Sequence, residues 1–132
     1  MEAKEVGMLA NRDALATIAV RDIEVAGRFY EGTLGLKQVP TKEPGVLSYA
    51  SGNSRVLVYE SQFAGTNKAT AVTWVVGDDI QGVVEALKSK GVAFEHYDFP
   101  ATTREGDVHV SGNTKAAWFK DPDGNILALV NQ

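Results

Sequence analysis

Short apolar runs of strand length alternate along the chain with two longer stretches of helical period. The run "ALATIAVR", residues 14–21, is short, apolar and β-branched, which predicts a buried strand. "DIEVAGRFYEGTLG" follows, with Ile23, Ala26, Phe29, Tyr30 and Leu34 near a 3.6-residue spacing. Asp22 is placed to cap that helix and Gly35 to end it. Three strands are then predicted over 36–41, 46–51 and 55–61, with Gly45 and Gly52-Asn53 marking the turns.

The second half repeats this order. "TAVTWVVGD" predicts a strand, and "DIQGVVEALKSKG" a helix opening at Asp79 and closing at Gly91. Strands follow over 92–98, 107–111, 115–120 and 126–130, the last two joined by the turn Asp121-Pro122-Asp123-Gly124. The pair Asp22-Ile23 recurs as Asp79-Ile80, and Gly52-Asn53 as Gly124-Asn125. A doubled order of this kind predicts an α+β fold of two βαβββ modules, about 14–62 and 70–132. Each module covers one sheet face with its helix, which leaves the other faces to curve around a central cavity. Residues 1–13 are polar and aperiodic and predict a flexible arm.

Bulk composition narrows the function. The 132 residues suffice for a real core, with 44% hydrophobic and 23% charged side chains. Net charge is −4 with no basic run, which argues against nucleic acid as a partner. The absence of cysteine excludes disulfides, thiol nucleophiles and Cys-ligated zinc. No apolar run has signal-peptide or membrane-spanning length, so a cytoplasmic location without membrane contact is expected.

Two stretches carry a resemblance. "IAVRDIEVAGRFYEGTLGLKQV", residues 18–39, and "WFKDPDGNILAL", residues 118–129, resemble the vicinal oxygen chelate superfamily. That group includes glyoxalase I, extradiol dioxygenases, fosfomycin-resistance transferases and bleomycin-binding resistance proteins. The resemblance implies the glyoxalase/bleomycin resistance fold and, commonly, a homodimer. In metal-using members four inward-pointing strand positions hold the ion; the resemblance places these at Leu15, Val56, Val72 and Ala128. None carries a nitrogen or oxygen donor in its side chain. Neither a metal nor another cofactor is therefore expected.

With the family register, strand alternation puts Thr17 and Ala19 inward beside Leu15, and Val58 and Glu60 beside Val56. It also puts Trp74 beside Val72, and Ile126 and Val130 beside Ala128, while Tyr59 turns to the helix. Trp118 matches an aromatic position that contacts substrate in fosfomycin-type relatives, and Tyr49 is its counterpart in the first half. The expected ligand-binding set is Thr17, Tyr49, Glu60, Trp74, His109 and Trp118. Each has a plainer role open to it: space-filling for the tryptophans, strand propensity for Thr17, a solvated carboxylate for Glu60. Of the two histidines, His96 suits an exposed edge and His109 suits contact with ligand. The polar segment 100–115, with Arg104, reads as a mobile rim.

Two functions fit. One is metal-independent binding of a small, aromatic or hydrophobic molecule, as in sequestering resistance proteins. The other is a glyoxalase-like lyase or isomerase, or a dioxygenase-related enzyme, working through a non-standard site; no catalytic residue is assigned.

Overall fold

In the computed structural model, which describes residues 9–131, Ala16–Val20 forms β1 with Ile18 and Val20 buried and Thr17 exposed. The chain then enters α1, Ile23–Gly27. Asp22 stays extended, and its carboxylate accepts the N–H groups of Glu24 at 2.9 Å and Val25 at 3.3 Å. Two of the donors that every helix start leaves unpaired are satisfied in this way. From Arg28 to Thr33 the helix widens into a π turn that carries the buried Tyr30. Lys37–Val39 (β2), Val46–Ser51 (β3) and Ser54–Glu60 (β4) complete a sheet of order β1-β4-β3-β2, in which only the β1–β4 pair is parallel.

The second half starts with Thr70–Val75 (β5), a 3-10 turn at Gly77–Asp79 and Ile80–Ser89 (α2). Phe94–Glu95 (β6), Thr103–Glu105 (β7), Val108–Ser111 (β8), Thr114–Lys120 (β9) and Ile126–Val130 (β10) follow. The sheet order is β5-β10-β9-β8-β7, with β6 paired to β9 and β10 parallel to β5. The architecture is the expected α+β pair of curved sheets. Two details differ. The strand expected over 92–98 is only two residues long, and the segment 100–115 is no irregular rim. It contains β7 and β8 as an antiparallel hairpin, with Arg104 opposite His109. The arm expected over 1–13 lies, for residues 1–8, outside the described residues; residues 9–13 are exposed.

One core lies between the helices and the covered faces of both sheets. It joins Ile18, Val20, Tyr30, Tyr49, Val56 and Val58 to Ile80, Val84, Phe119, Leu127 and Leu129. Each such fully buried large side chain contributes about 1.5–3 kcal/mol. Pairing registers then assign the faces. Val56 and Val58 stand beside Ala16 and Ile18, and Tyr49 beside Val56, all on the covered side. Val72 and Trp74 stand beside Leu127 and Leu129, also covered.

These registers correct the expected inward set. Val56, Val58, Glu60, Val72, Trp74 and Tyr49 point toward the helices, and Tyr59, 38% exposed, points the other way. In β5 the physical reason is the 3-10 turn. The covered residue Val20 lies three before Ile23, whereas the covered Trp74 lies six before Ile80. That odd difference turns every side chain of the strand over. The readings for β1 and β10 agree with the structure: Thr17 and Ala19, and Ile126, Ala128 and Val130, lie on the open faces.

The turn Asp121–Gly124 also ties the two halves together. The Asp121 carboxylate, 5% exposed, accepts the Tyr30 hydroxyl at 2.7 Å, the N–H groups of Asp123 and Asn125, and the Asn125 side-chain amide. The same amide donates to Ala19 O at 2.9 Å, and Arg21 N–H to Asp123 Oδ1 at 3.3 Å. Among the described residues no helix is long and apolar enough to cross a membrane.

Candidate functional site

Trp118 sits at the centre of β9, where alternation brings it to the open face with Ala116 and Lys120. Its cross-strand neighbours are Ala128 on β10 and Glu95 on β6. On β8, His109 faces the same way, opposite Ala116. The small side chains at positions 116 and 128 beside them are buried, and further rings pack against Trp118. Trp118 lies 5.0 Å from His109 and 5.5 Å from both Tyr97 and Phe99, centroid to centroid, with edge-to-face or tilted geometry. His96 approaches His109 at 6.4 Å. Such arrangements direct the positive edge of one ring at the negative face of the next.

Polar atoms in this cluster are unevenly satisfied. His109 is 3% exposed, and its Nε2 accepts the backbone N–H of Tyr97 at 2.9 Å. Among the described residues its Nδ1 has no partner, and neither does the buried Tyr97 hydroxyl. Burial, and then the nearby Glu95 charge, raise the Tyr97 hydroxyl above its ordinary value, which keeps it a donor. At the rim, His96 Nε2 lies 2.7 Å from Asp107 Oδ1, while Lys88 Nζ reaches the other carboxylate oxygen at 2.8 Å. Hydrogen bonds from Lys88 and then His96 hold the Asp107 carboxyl below its ordinary range. Arg104 donates to Gly106 O at 2.8 Å and touches His96 Nε2 at 3.3 Å.

Of the residues expected to form the site, His109 and Trp118 are brought together. Thr17 is on the open face of the other sheet, its hydroxyl turned back on Leu15 O at 3.3 Å. The remaining three have posts behind the sheets. Glu60 Oε2 accepts the N–H of Ile23 at 3.1 Å, adding a second carboxylate to the start of α1. Tyr49 is fully buried, stacks on Tyr30 at 6.2 Å and donates to Glu31 Oε2 at 3.1 Å. Trp74 donates its indole N–H to Ser51 Oγ at 2.9 Å, in an apolar cleft of about 210 Å³ between the halves, lined also by Leu34, Leu36, Leu87 and Phe119. Sequence reasoning missed Tyr97 and Phe99. The signal was present in "HYDF", where two aromatics at i and i+2 share one side of an extended chain.

A divalent ion does not fit the central strands. Correcting the register replaces Val56 by Arg55 or Leu57, and Val72 by Ala71 or Thr73, as neighbours of Leu15 and Ala128. The open faces of β1, β4, β5 and β10 thus carry no imidazole or carboxylate, the donors such an ion needs. Among the described residues no group of three or more His, Cys, Asp or Glu is placed to hold a metal.

Comparison with known proteins places the fold. No curated protein matches the chain. Solved structures do: an integron cassette protein from the Halifax Harbour sewage metagenome has a TM-score of 0.69 at 18% identity, covering 92% of this chain and 99% of its own. Lactoylglutathione lyase from Agrobacterium tumefaciens gives 0.67 at 14% identity, covering 91% and 92%. The genomically encoded fosfomycin resistance protein of Listeria monocytogenes gives 0.66 at 15%, covering 95% and 93%. At these identities the structures speak for the fold alone. Residues 13–129 match the model of the glyoxalase/bleomycin resistance protein/dioxygenase superfamily, and the chain belongs to that family.

Proposed function

We propose that the protein binds a small aromatic or hydrophobic molecule, without a metal, against the open face of the second sheet. The observation that carries this reading is the gathering of Trp118, His109, Tyr97 and Phe99 on one face, beside strands that offer no metal donors. Aromatic walls with few polar groups are the common composition of small-molecule pockets. The mode of action is sequestration, in a cytoplasmic homodimer of two-module chains with modules at about 14–62 and 70–132. A library screen by thermal shift, followed by titration monitored through tryptophan fluorescence, tests it. Hits whose affinity falls in folded Trp118→Ala support the site; hits indifferent to that change refute it. Near-stoichiometric metal surviving dialysis refutes the metal-free part.

A second reading, a lyase or isomerase with a non-standard site, draws on one observation. His96 and Asp107 form a hydrogen-bonded pair 2.7 Å apart next to His109, an arrangement able to move a proton. Turnover of a bound hit, abolished by His96→Gln with binding intact, would favour it.

A further inference from the structure

The two unpartnered atoms in the aromatic cluster define what its ligand must offer. Because His109 Nε2 accepts the N–H of Tyr97, a neutral imidazole there must carry its proton on Nδ1. Both free polar atoms can then donate: His109 Nδ1–H and the Tyr97 hydroxyl. A buried donor without an acceptor is destabilising, so a site with two is poised for an incoming acceptor. Charge decides which kind. Glu95 lies opposite Trp118, and Asp107 closes the His96 side. Among the described residues Lys88 is paired with Asp107 and Lys120 with Glu95 at 3.8 Å, while Arg104, exposed on the strand opposite His109, donates to Gly106 O. A carboxylate ligand would enter beside two carboxylates, with exposed Arg104 the one nearby cation among the described residues not paired to a carboxylate, and burying it would cost more than the neutral donors return.

We infer that the cluster selects a neutral aromatic carbonyl compound, its ring against Trp118 and its oxygen accepting from His109 Nδ1–H and the Tyr97 hydroxyl. Phe99, 45% exposed, is the outer wall, and entry runs past its ring. This deepens the binding reading above and rests on it, but the two fail differently.

The test titrates the intact protein with 2-acetylnaphthalene, 2-ethylnaphthalene and 2-naphthoate, followed by NMR of the indole N–H groups and the imidazole nitrogens. The ketone is expected to bind about tenfold tighter than the hydrocarbon, the size of two modest hydrogen bonds. Naphthoate should bind more weakly than the ketone. Free His109 should show the Nδ1–H tautomer, and its Nδ1 signal should move with the ketone only. Tyr97→Phe keeps the ring and removes one donor; it should cut the ketone's advantage about threefold and leave hydrocarbon binding unchanged. Equal binding of ketone and hydrocarbon, an advantage untouched by Tyr97→Phe, an Nε2–H tautomer, or tighter binding of naphthoate would each overturn the inference while leaving the site standing. If no naphthalene binds, the open-face reading itself falls, and this inference with it.

Discussion

The Tyr30 hydroxyl donates to Asp121 Oδ2 at 2.7 Å, across 91 positions of chain and from one half of the molecule to the other. The π turn brings Tyr30 inward, and the last hairpin turn holds Asp121, whose carboxylate collects four donors in all. Replacing Tyr30 by Phe keeps the ring and its stacking but leaves one lone pair of a buried carboxylate empty. Bonds to charged groups contribute about 1.5–3 kcal/mol, and a loss of that size is expected in denaturant unfolding. Asp121→Ala, which strands all four donors, should cost more. A Tyr30→Phe protein as stable as wild type would show that the bond does not clamp the halves.

The same tyrosine sets the alkaline limit. Burial, then the charge of Asp121, push the Tyr30 hydroxyl far above its ordinary 10; burial, then the hydrogen bond to Glu31, do the same at Tyr49. Both hold their protons more tightly folded than unfolded. Their contribution is therefore full below pH 10 and is lost as pH rises above it, because only the unfolded chain releases those protons. The slope is about 1.4 kcal/mol per pH unit for each tyrosine. Denaturant midpoints between pH 9 and 11.5 should reveal it, and Tyr30→Phe should remove about half of the loss. A flat profile in this range would contradict the burial of both hydroxyls.

The two tryptophans should separate cleanly. Trp118 is part of the open-face cluster, whereas Trp74 lines the cleft between the halves and donates to Ser51. Trp74→Ala is expected to destabilise the fold by less than the roughly 3–5 kcal/mol of a fully buried large aromatic, since Trp74 is partly buried, while any ligand found keeps its affinity in the folded fraction. Trp118→Ala should weaken that ligand by about tenfold or more through lost area and stacking. The reverse result would move the site to the cleft.

Much of this was legible in the chain. Apolar period, Asp22, and the Asp121–Asn125 turn announce two halves of strand, helix and strands, and the second half carries five strands after its helix where the first carries three. Faces were harder. In "RVLVYE" the polar Arg55 and amphipathic Tyr59 alternate with Val56 and Val58, which by itself says that the valines are buried. Reading the strand through a family register inverted it. In β5 every position from Ala71 to Val75 is tolerable on either side, so a turn of three residues decided the outcome. The Asp121 carboxylate reads as turn chemistry alone until Tyr30 is seen beside it, since no local pattern links positions so distant.

The open faces carry the last expectation. Among the described residues, six large hydrophobics are exposed, and three of them lie on or beside the uncovered faces away from the Trp118 cluster: Leu15, Tyr59 and Val75. Val75 is 67% exposed on the first strand of its sheet, and Tyr59 stands opposite Ala19 on the other. Apolar side chains scattered singly need no partner, but these share the faces of two curved sheets whose outer strands are also unpaired. A second copy, related by a twofold axis, would cover Tyr59 and Val75 and leave the Trp118 cluster open to ligand. Light scattering across micromolar concentrations should therefore give the mass of a dimer. Tyr59→Lys combined with Val75→Lys should give a folded monomer, because charge on an exposed strand face disturbs association and not the core. A monomer mass for the wild type throughout that range would refute the dimer.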